Sequence, residues 1–321
     1  MLKVFPDQAP RFDVALRDAK SKNARTRAYA IQSLANPPDG MRDAAVEALR
    51  PLLTDDDLTV RYSALAAIGE FDDLESLPKI LSFFDDKAPS MRELAVIVAS
   101  HFDDGRAQLA VRNALRSEHP EMRFQAVVLC TERNERDAAD TLAPLLQDPD
   151  SHVRAEVALS LAALHDRRCV EHLVRLLDDR EHASDAAMGL AELREVSALP
   201  SLQGMSTRRL LPLHTQAAVG AARVMLGDRD GANALRSVLT AFRSSARSYA
   251  ADVAGIASVI EVLPELERLV DSPRGADPRV VVKAIARLAR DHESAQTVLT
   301  RLGRRTDDIG HVARTINFED K

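Results

Sequence analysis

A period constrains this chain more than any other feature. Val60-Arg61, Met91-Arg92, Met122-Arg123 and Val153-Arg154 recur every 31 residues. A unit of that length cannot bury an apolar face alone and must stack on its neighbours. Each pair opens a segment with apolar residues four and about eight positions on, as in YSALAAIGEF and ELAVIVASHF. That spacing predicts a helix, B, whose positions 0, 4 and 8, counted from the residue before the Arg, face inward. A second series runs ahead of it at the same interval: Leu49/Leu53, Ile80/Phe84, Val111/Leu115, Leu142/Leu146 and Leu173/Leu177. An i, i+4 apolar pair marks one face of another helix, A. Between A and B stand Asp55, Asp86, Asp148 and Asp179, six residues ahead of the repeated Arg position, with Ser117 the exception.

The frame extends upstream to Arg27 and downstream through Asp185, Gln216, Arg247 and Val281, with two offsets of 34 absorbed in the Pro- and Gly-rich stretches NPPDG and SPRGADP. The expected fold is all-α: an alpha-alpha superhelix of about nine helix pairs over residues 10–302, closed by a capping helix near 292–302. Residues 1–9 form an N-terminal arm, residues 303–321 a C-terminal tail, and 1–321 a single domain. Composition supports helix over strand, with 45% hydrophobic and 29% charged residues, 4% aromatic and no Trp.

The arrangement of Asp, then VRxxA, then Leu, preceded by an LxxLL-like helix as in LAPLLQDPDSHVRAEVALSLAAL, resembles the HEAT repeat, and its short period resembles the phycobilisome-lyase-like subclass. The resemblance implies A helices on a convex side and B helices on a concave side. It also implies an Asp/Arg ladder that stitches neighbouring repeats, here Asp55, Asp86, Asp148 and Asp179 with Arg61, Arg92, Arg123 and Arg154. That subclass includes adaptors, assembly factors, regulators and bilin-lyase subunits.

No motif of catalysis stands out. The nine His show no HExxH spacing, and neither a GxSxG elbow nor a P-loop occurs. Gly227 and Gly231 flank DRD and read as turn residues. Asp72-Asp73 and Asp103-Asp104 read as helix N-caps before they read as metal ligands. Cys130 and Cys169 form no CxxC or disulfide framework, which points to an intracellular chain. Residues 1–12 lack an apolar h-region and no membrane span is expected, so the expected location is cytoplasmic and bacterial-type. Formal net charge is −6, split as 25 Lys+Arg against 35 Asp+Glu in residues 1–203 and 18 against 14 in 204–321. A duplex binder would be strongly basic, so nucleic acid is disfavoured as a partner.

The expected function is therefore a non-catalytic protein-binding scaffold or regulatory adaptor, without cofactor or metal, whose partners are other proteins. A bilin-lyase-like modifying subunit and a HEAT-like nucleic-acid binder are the alternatives. Two features are candidate partner sites. On helix B, positions 2, 6 and 9 point away from the core, which puts Ile97, Val128, Leu159 and Leu190 in one row with Tyr62 and Phe124 beside it, as an apolar strip. At VSALPSLQGMSTRRLLPLH, Gly204 and Arg208 fall where the apolar pair belongs, between Pro200 and Pro212. Helix A should be short or bent there, exposing Arg208 and Arg209 in a stretch that carries seven Arg between 204 and 250.

Overall fold

A computed structural model describes residues 10–133, 138–208, 210–272 and 275–319. Those residues form 20 α-helices, arranged as ten A/B pairs, and no strand. The A helices are α1 (Phe12–Asp18), α3 (Arg42–Leu49), α5 (Leu77–Ser82), α7 (Gly105–Ala114), α9 (Ala138–Leu142), α11 (Val170–Leu176), α13 (Leu199–Ser206), α15 (Gly231–Leu239), α17 (Leu263–Val270) and α19 (Glu293–Gly303). The B helices are α2 (Ala24–Leu34), α4 (Leu58–Gly69), α6 (Pro89–Ser100), α8 (Pro120–Glu132), α10 (Ser151–Ala163), α12 (Ala183–Glu192), α14 (Leu213–Met225), α16 (Ser244–Ile256), α18 (Pro278–Leu288) and α20 (Asp308–Glu319). The expected capping helix is thus α19, and it acts as helix A of a further pair. Most of the expected tail is its partner α20, which buries Ala313.

Two compact units divide the chain. One runs through Ala138 and takes in Pro149–Glu156; the other comprises Ala139–Asp148 and Val157 onward. Within each, A helices pack on their own B, as α1 on α2 and α15 on α16, and B helices on the next B, as α4 on α6 and α12 on α14. Positions 0, 4 and 8 of α4 are Val60, Ala64 and Ile68, all solvent-free. Each fully buried Leu or Ile of these rows contributes about 1.5–3 kcal/mol relative to exposure. The A pair follows the sequence frame at Val111/Leu115, Leu142/Leu146 and Leu173/Leu177, which are all buried. At Ile80 the buried mate is Phe83 instead of Phe84. There α5 passes into a 3-10 turn at Phe83–Asp85.

Helix starts follow from short polar residues and Pro. Asn23 Oδ1 accepts the Arg25 and Thr26 N–H groups at 2.9 and 3.4 Å. Asp57 does the same for Thr59 and Val60, and Asp277 for Arg279. Pro89, Pro120 and Pro278 open α6, α8 and α18, where a missing N–H costs nothing.

Four B helices of the second unit end by one device. His165, Arg194, Gly227 and Ser258 all lie at positive φ just past α10, α12, α14 and α16. The next residue's N–H bonds back to the sixth carbonyl, as Asp166 to Leu161 at 2.8 Å and Asp228 to Arg223 at 2.8 Å. These are Schellman closures, and Gly227 is the one of the four that adopts the turn without steric cost.

The repeated Asp and Arg act chiefly inside each A–B turn. Asp55 and Asp86 accept the N–H of residues two ahead, Asp57 and Ala88, at 3.0 and 2.8 Å. Ser117 does so with its hydroxyl, accepting from His119 at 3.2 Å, so the exception in sequence performs the same task. The repeated Arg then closes the turn by donating to carbonyls five or six residues back. Arg61 reaches Asp55 O and Asp56 O at 2.8 and 3.1 Å. Arg92 reaches Asp86 O at 2.6 Å, Arg123 reaches Ser117 O at 2.7 Å, Arg27 reaches Ser21 O at 2.8 Å and Arg154 reaches Pro149 O at 3.0 Å. Stitching between repeats is added where the guanidinium has a second side free. Arg27 grips Asp55 of the next repeat with two bonds of 2.6 Å, and Arg92 donates to Glu121 at 2.7 Å.

A second set of stitches, absent from the sequence reading, lies at the B–A turns. Asp73 accepts two bonds from Arg50 at 2.6 and 2.8 Å, Glu195 pairs with Arg167, and Asp228 accepts from Gln203 at 2.8 Å. Asp73 and Asp104 are therefore occupied by Arg50 and by Arg106, not arranged around a cation.

Candidate protein-binding surfaces

In the first unit, α2 and α4 run side by side as consecutive B helices. Ala28 and Ala35 on one and Ala66 and Ala67 on the other are too small to fill the space between them. A groove of about 440 Å³ results, floored by Ile31 and walled by Tyr62. Tyr62 is 41% exposed, and Gln32, Thr59, Ser63 and Glu70 supply a polar rim. Such a site can take an apolar side chain from a partner and orient it by hydrogen bonds at the rim. Its lining has one carboxylate, Glu70, and no His, Cys or Lys.

The remainder of the expected strip is distributed unevenly. Ile97, Phe124 and Val128 are half-buried on α6 and α8, as is Leu159 on α10. Between α6 and α8 the face is bridged by Gln125, which donates to Glu93 at 2.9 Å. Leu190 departs from expectation: it is 0% exposed and belongs to the core. The neighbouring helix α14 is lined with Ala217, Ala218, Ala221 and Ala222, all buried, and Ser184 of α12 bonds to its Thr215 at 3.2 Å. Small side chains let two helices close until position 6 is sealed from water. Position 9 also fails to face outward. Gly69 meets Val98, and a Cβ there would lie 3.0 Å from the valine methyl; Ala162, at position 9 of α10, is buried against Gly189. Ala28, Ile31 and Ala35 lie one repeat ahead of Tyr62, and the small alanine side chains on a B helix are the sequence signal of this gap.

In the second unit, the expected break at 196–212 is a shift of register. Helix α13 is eight residues long, the same as α17, and is not shortened. Leu202 and Met205 fill the interior in place of Gly204 and Arg208. Leu202 stands two residues and Met205 three residues ahead of the expected positions, and Pro212 immediately precedes α14. Arg208 is exposed and pairs with Asp178 at 2.6 Å; Arg209 lies outside the described residues. The other Arg of the basic stretch do not form one patch. Arg223 is held by Asp228 and Ser206 at 2.9 and 3.0 Å, and Arg236 by Glu265 at 3.2 Å. Beside Arg208 a cavity of about 550 Å³ is lined by Leu177, Ala183, Met205, Leu211 and Pro212.

Gly231 is not a turn residue but the first residue of α15, pressed against α14. A Cβ on the facing Gly220 would stand 2.8 Å from Gly231 O and 3.0 Å from Ala234 Cβ. Cys130 and Cys169 are both buried, and desolvation pushes the Cys169 thiol up to about 11, the opposite of an activated nucleophile. Among the described residues no group of three or more His, Cys, Asp or Glu is placed to hold a metal ion. None of their helices is long and apolar enough to cross a membrane.

A family model of HEAT repeats matches residues 14–100 and 109–191. No curated protein matches the sequence. Among solved structures, YibA of E. coli is 20% identical over 67% of this chain and 80% of its own, with a TM-score of 0.50. A Kap95:Nup1 complex is 12% identical over 95% of this chain and 56% of that one, with a TM-score of 0.55. The complex of CpcE and CpcF of phycocyanin lyase from Nostoc sp. PCC7120 is 15% identical over 98% of both chains, with a TM-score of 0.32. At these identities the likeness is one of fold.

Proposed function

From the premise that this chain belongs to the HEAT-repeat family, we propose that it is a non-catalytic adaptor of the cytosol that holds a segment of a partner protein on its B-helix face. The observation that carries this reading is the α2–α4 groove, with Tyr62 at its wall. An unfilled apolar groove with a polar rim is what a helix or extended peptide needs for anchoring. A similar solenoid, Kap95, is seen in complex with a protein, Nup1, which supports the reading at the level of fold. The half-buried Ile97, Phe124 and Val128 extend apolar surface along the same layer of the first unit.

A photoreactive phenylalanine at position 62, introduced into the full chain in its native cell, tests this. Cross-links should form to a defined partner at position 62 and not at Glu47, which is exposed on helix A. Tyr62→Asp should release that partner with no change in melting temperature. Equal cross-linking at both positions, or undiminished binding by the Tyr62→Asp chain, refutes the groove as the site.

A further inference from the structure

Leu210 and Phe242 are 95% and 99% exposed, while the next large apolar side chain among the described residues, Leu109, reaches 60%. Apolar side chains left this bare mark a contact with something outside the chain. Leu210 stands in the turn between α13 and α14, and Phe242 in the turn between α15 and α16. Because α14 packs directly on α16, the two turns open onto one edge of the second unit. That edge is also basic. Its turns, TRRLLP at 207–212 and TAFRSSAR at 240–247, carry Arg208, Arg209, Arg243 and Arg247 and no Asp or Glu. Between Glu195 and Asp252 the acids are Asp228 and Asp230, which belong to the turn from α14 to α15, at the other ends of these helices. Acids return on both flanks, as Asp178, Asp179 and Glu181 ahead of α12 and as Asp271 and Asp277 ahead of α18. Arg243 is exposed, and Arg208 meets Asp178 in an exposed pair of the kind that contributes little.

We propose that this edge rests on an anionic lipid bilayer, with Leu210 and Phe242 entering the boundary between headgroups and acyl chains and Arg208 and Arg243 lying among the lipid phosphates. Shape favours lipid over protein. Two large side chains of about 150–250 Å² each, projecting singly, fall short of the roughly 600 Å² a side of even a weak protein interface. Hydrocarbon needs no complementary shape and accepts isolated tips. Charge points the same way, because the basic, acid-free stretch coincides with the apolar tips and ends at the turns on either side. Two side chains and a few cations hold reversibly, so the chain exchanges between the bilayer and solution. The edge shares no residue with the α2–α4 groove, and its occupation does not depend on the function proposed for that groove.

The chain has no Trp, so Phe242→Trp gives the full chain a single fluorescent reporter. Its emission should shift to the blue with vesicles of phosphatidylcholine containing about one third phosphatidylserine, and stay unchanged with phosphatidylcholine alone. Leu109→Trp, on α7 of the first unit, should stay unchanged with both. In flotation the parent chain should follow the anionic vesicles and lose most of its binding as salt rises from about 0.1 to 0.5 M. Phe242→Ser and Leu210→Ser should each weaken binding about tenfold or more, the worth of one large apolar side chain, with the melting temperature unchanged because both side chains are exposed in the free chain. Arg243→Gln should weaken it about fivefold, and Asp178→Asn should strengthen it. No shift at position 242, an equal shift at 109, equal binding to neutral vesicles, or undiminished flotation of the Phe242→Ser chain each overturns the inference.

Discussion

Cutting the stitch between the first two repeats should loosen the first unit by a predictable amount. Asp55 and Arg27 keep only 8% and 17% of their side-chain surface, and two bonds of 2.6 Å join them. Asp55→Ala removes both charge-assisted bonds and the Asp57 N–H partner, leaving a guanidinium mostly shielded from water. A fully buried orphaned charge costs about 3–5 kcal/mol. The residual exposure of Arg27 lets water return, which reduces the cost to about 2–3 kcal/mol. Asp55→Asn keeps the shape and one acceptor and should cost about 1 kcal/mol. Arg27→Leu with Asp55→Leu leaves no orphan and should cost less than Asp55→Ala alone. Because a repeat array opens locally, hydrogen exchange by mass spectrometry over residues 24–34 and 58–69 is the suitable assay. Asp55→Ala should accelerate exchange there about 30-fold or more, as 1.4 kcal/mol is tenfold. Parent-like protection in Asp55→Ala, or a double variant weaker than the single, would refute the argument that an uncompensated guanidinium dominates the loss.

Four further outcomes are expected. Gly220→Ala should destabilise by about 1–2 kcal/mol despite the better helix propensity of Ala, because its Cβ meets the Gly231 backbone; urea denaturation reads this. Arg194→Gly and Ser258→Gly should each stabilise by about 0.5–1 kcal/mol, since both residues hold positive φ; the same denaturation series checks it. Neither Cys130 nor Cys169 should react with a maleimide before unfolding, as followed by intact mass. Asp55 is held below the usual carboxylate range by Arg27 and Asp73 by Arg50, while Ser197 does this for Glu195 and Gln203 for Asp228. A depressed folded value gives stability that is complete above the unfolded value, about 4, and lost as pH falls through the folded ones. Melting temperature should thus be flat from about pH 5 to 7 and fall steeply below about 4.

The sequence reading placed the helices well because a periodic pattern is a local record of which side faces inward. It located α4, α6, α8 and α10 from one Arg column and fixed the A pairs from one Leu column. It faltered where the outcome depended on how near another helix comes. Leu190 looks like Val128 along the chain, yet alanines 27 to 32 residues away on α14 decide that only one of them keeps contact with water. Gly231 reads as a turn until its backbone is seen against Gly220. The α13 slip is not legible in the period, because Thr215 stands 31 residues after Ser184 and the B-helix frame is undisturbed. Of the candidate site, Tyr62 and Arg208 were found on the surface; the hollows beside them, which come from what is missing between helices, were not.

The Arg that closes each A–B turn has an evolutionary corollary. A guanidinium reaching back five or six residues measures the turn, so Arg27, Arg61, Arg92, Arg123 and Arg154 act as rulers that permit one loop length. At α12, α14 and α18 that position is Asp185, Gln216 or Val281, and no ruler is fitted. One of those three turns is the longer SPRGADP loop, which carries the 34-residue offset. New peptide sequences grafted by design should therefore be accepted at the turns before α14 and α18 and rejected at those before α4 and α6. The same gauge that makes the first unit regular denies it the freedom to acquire new loops.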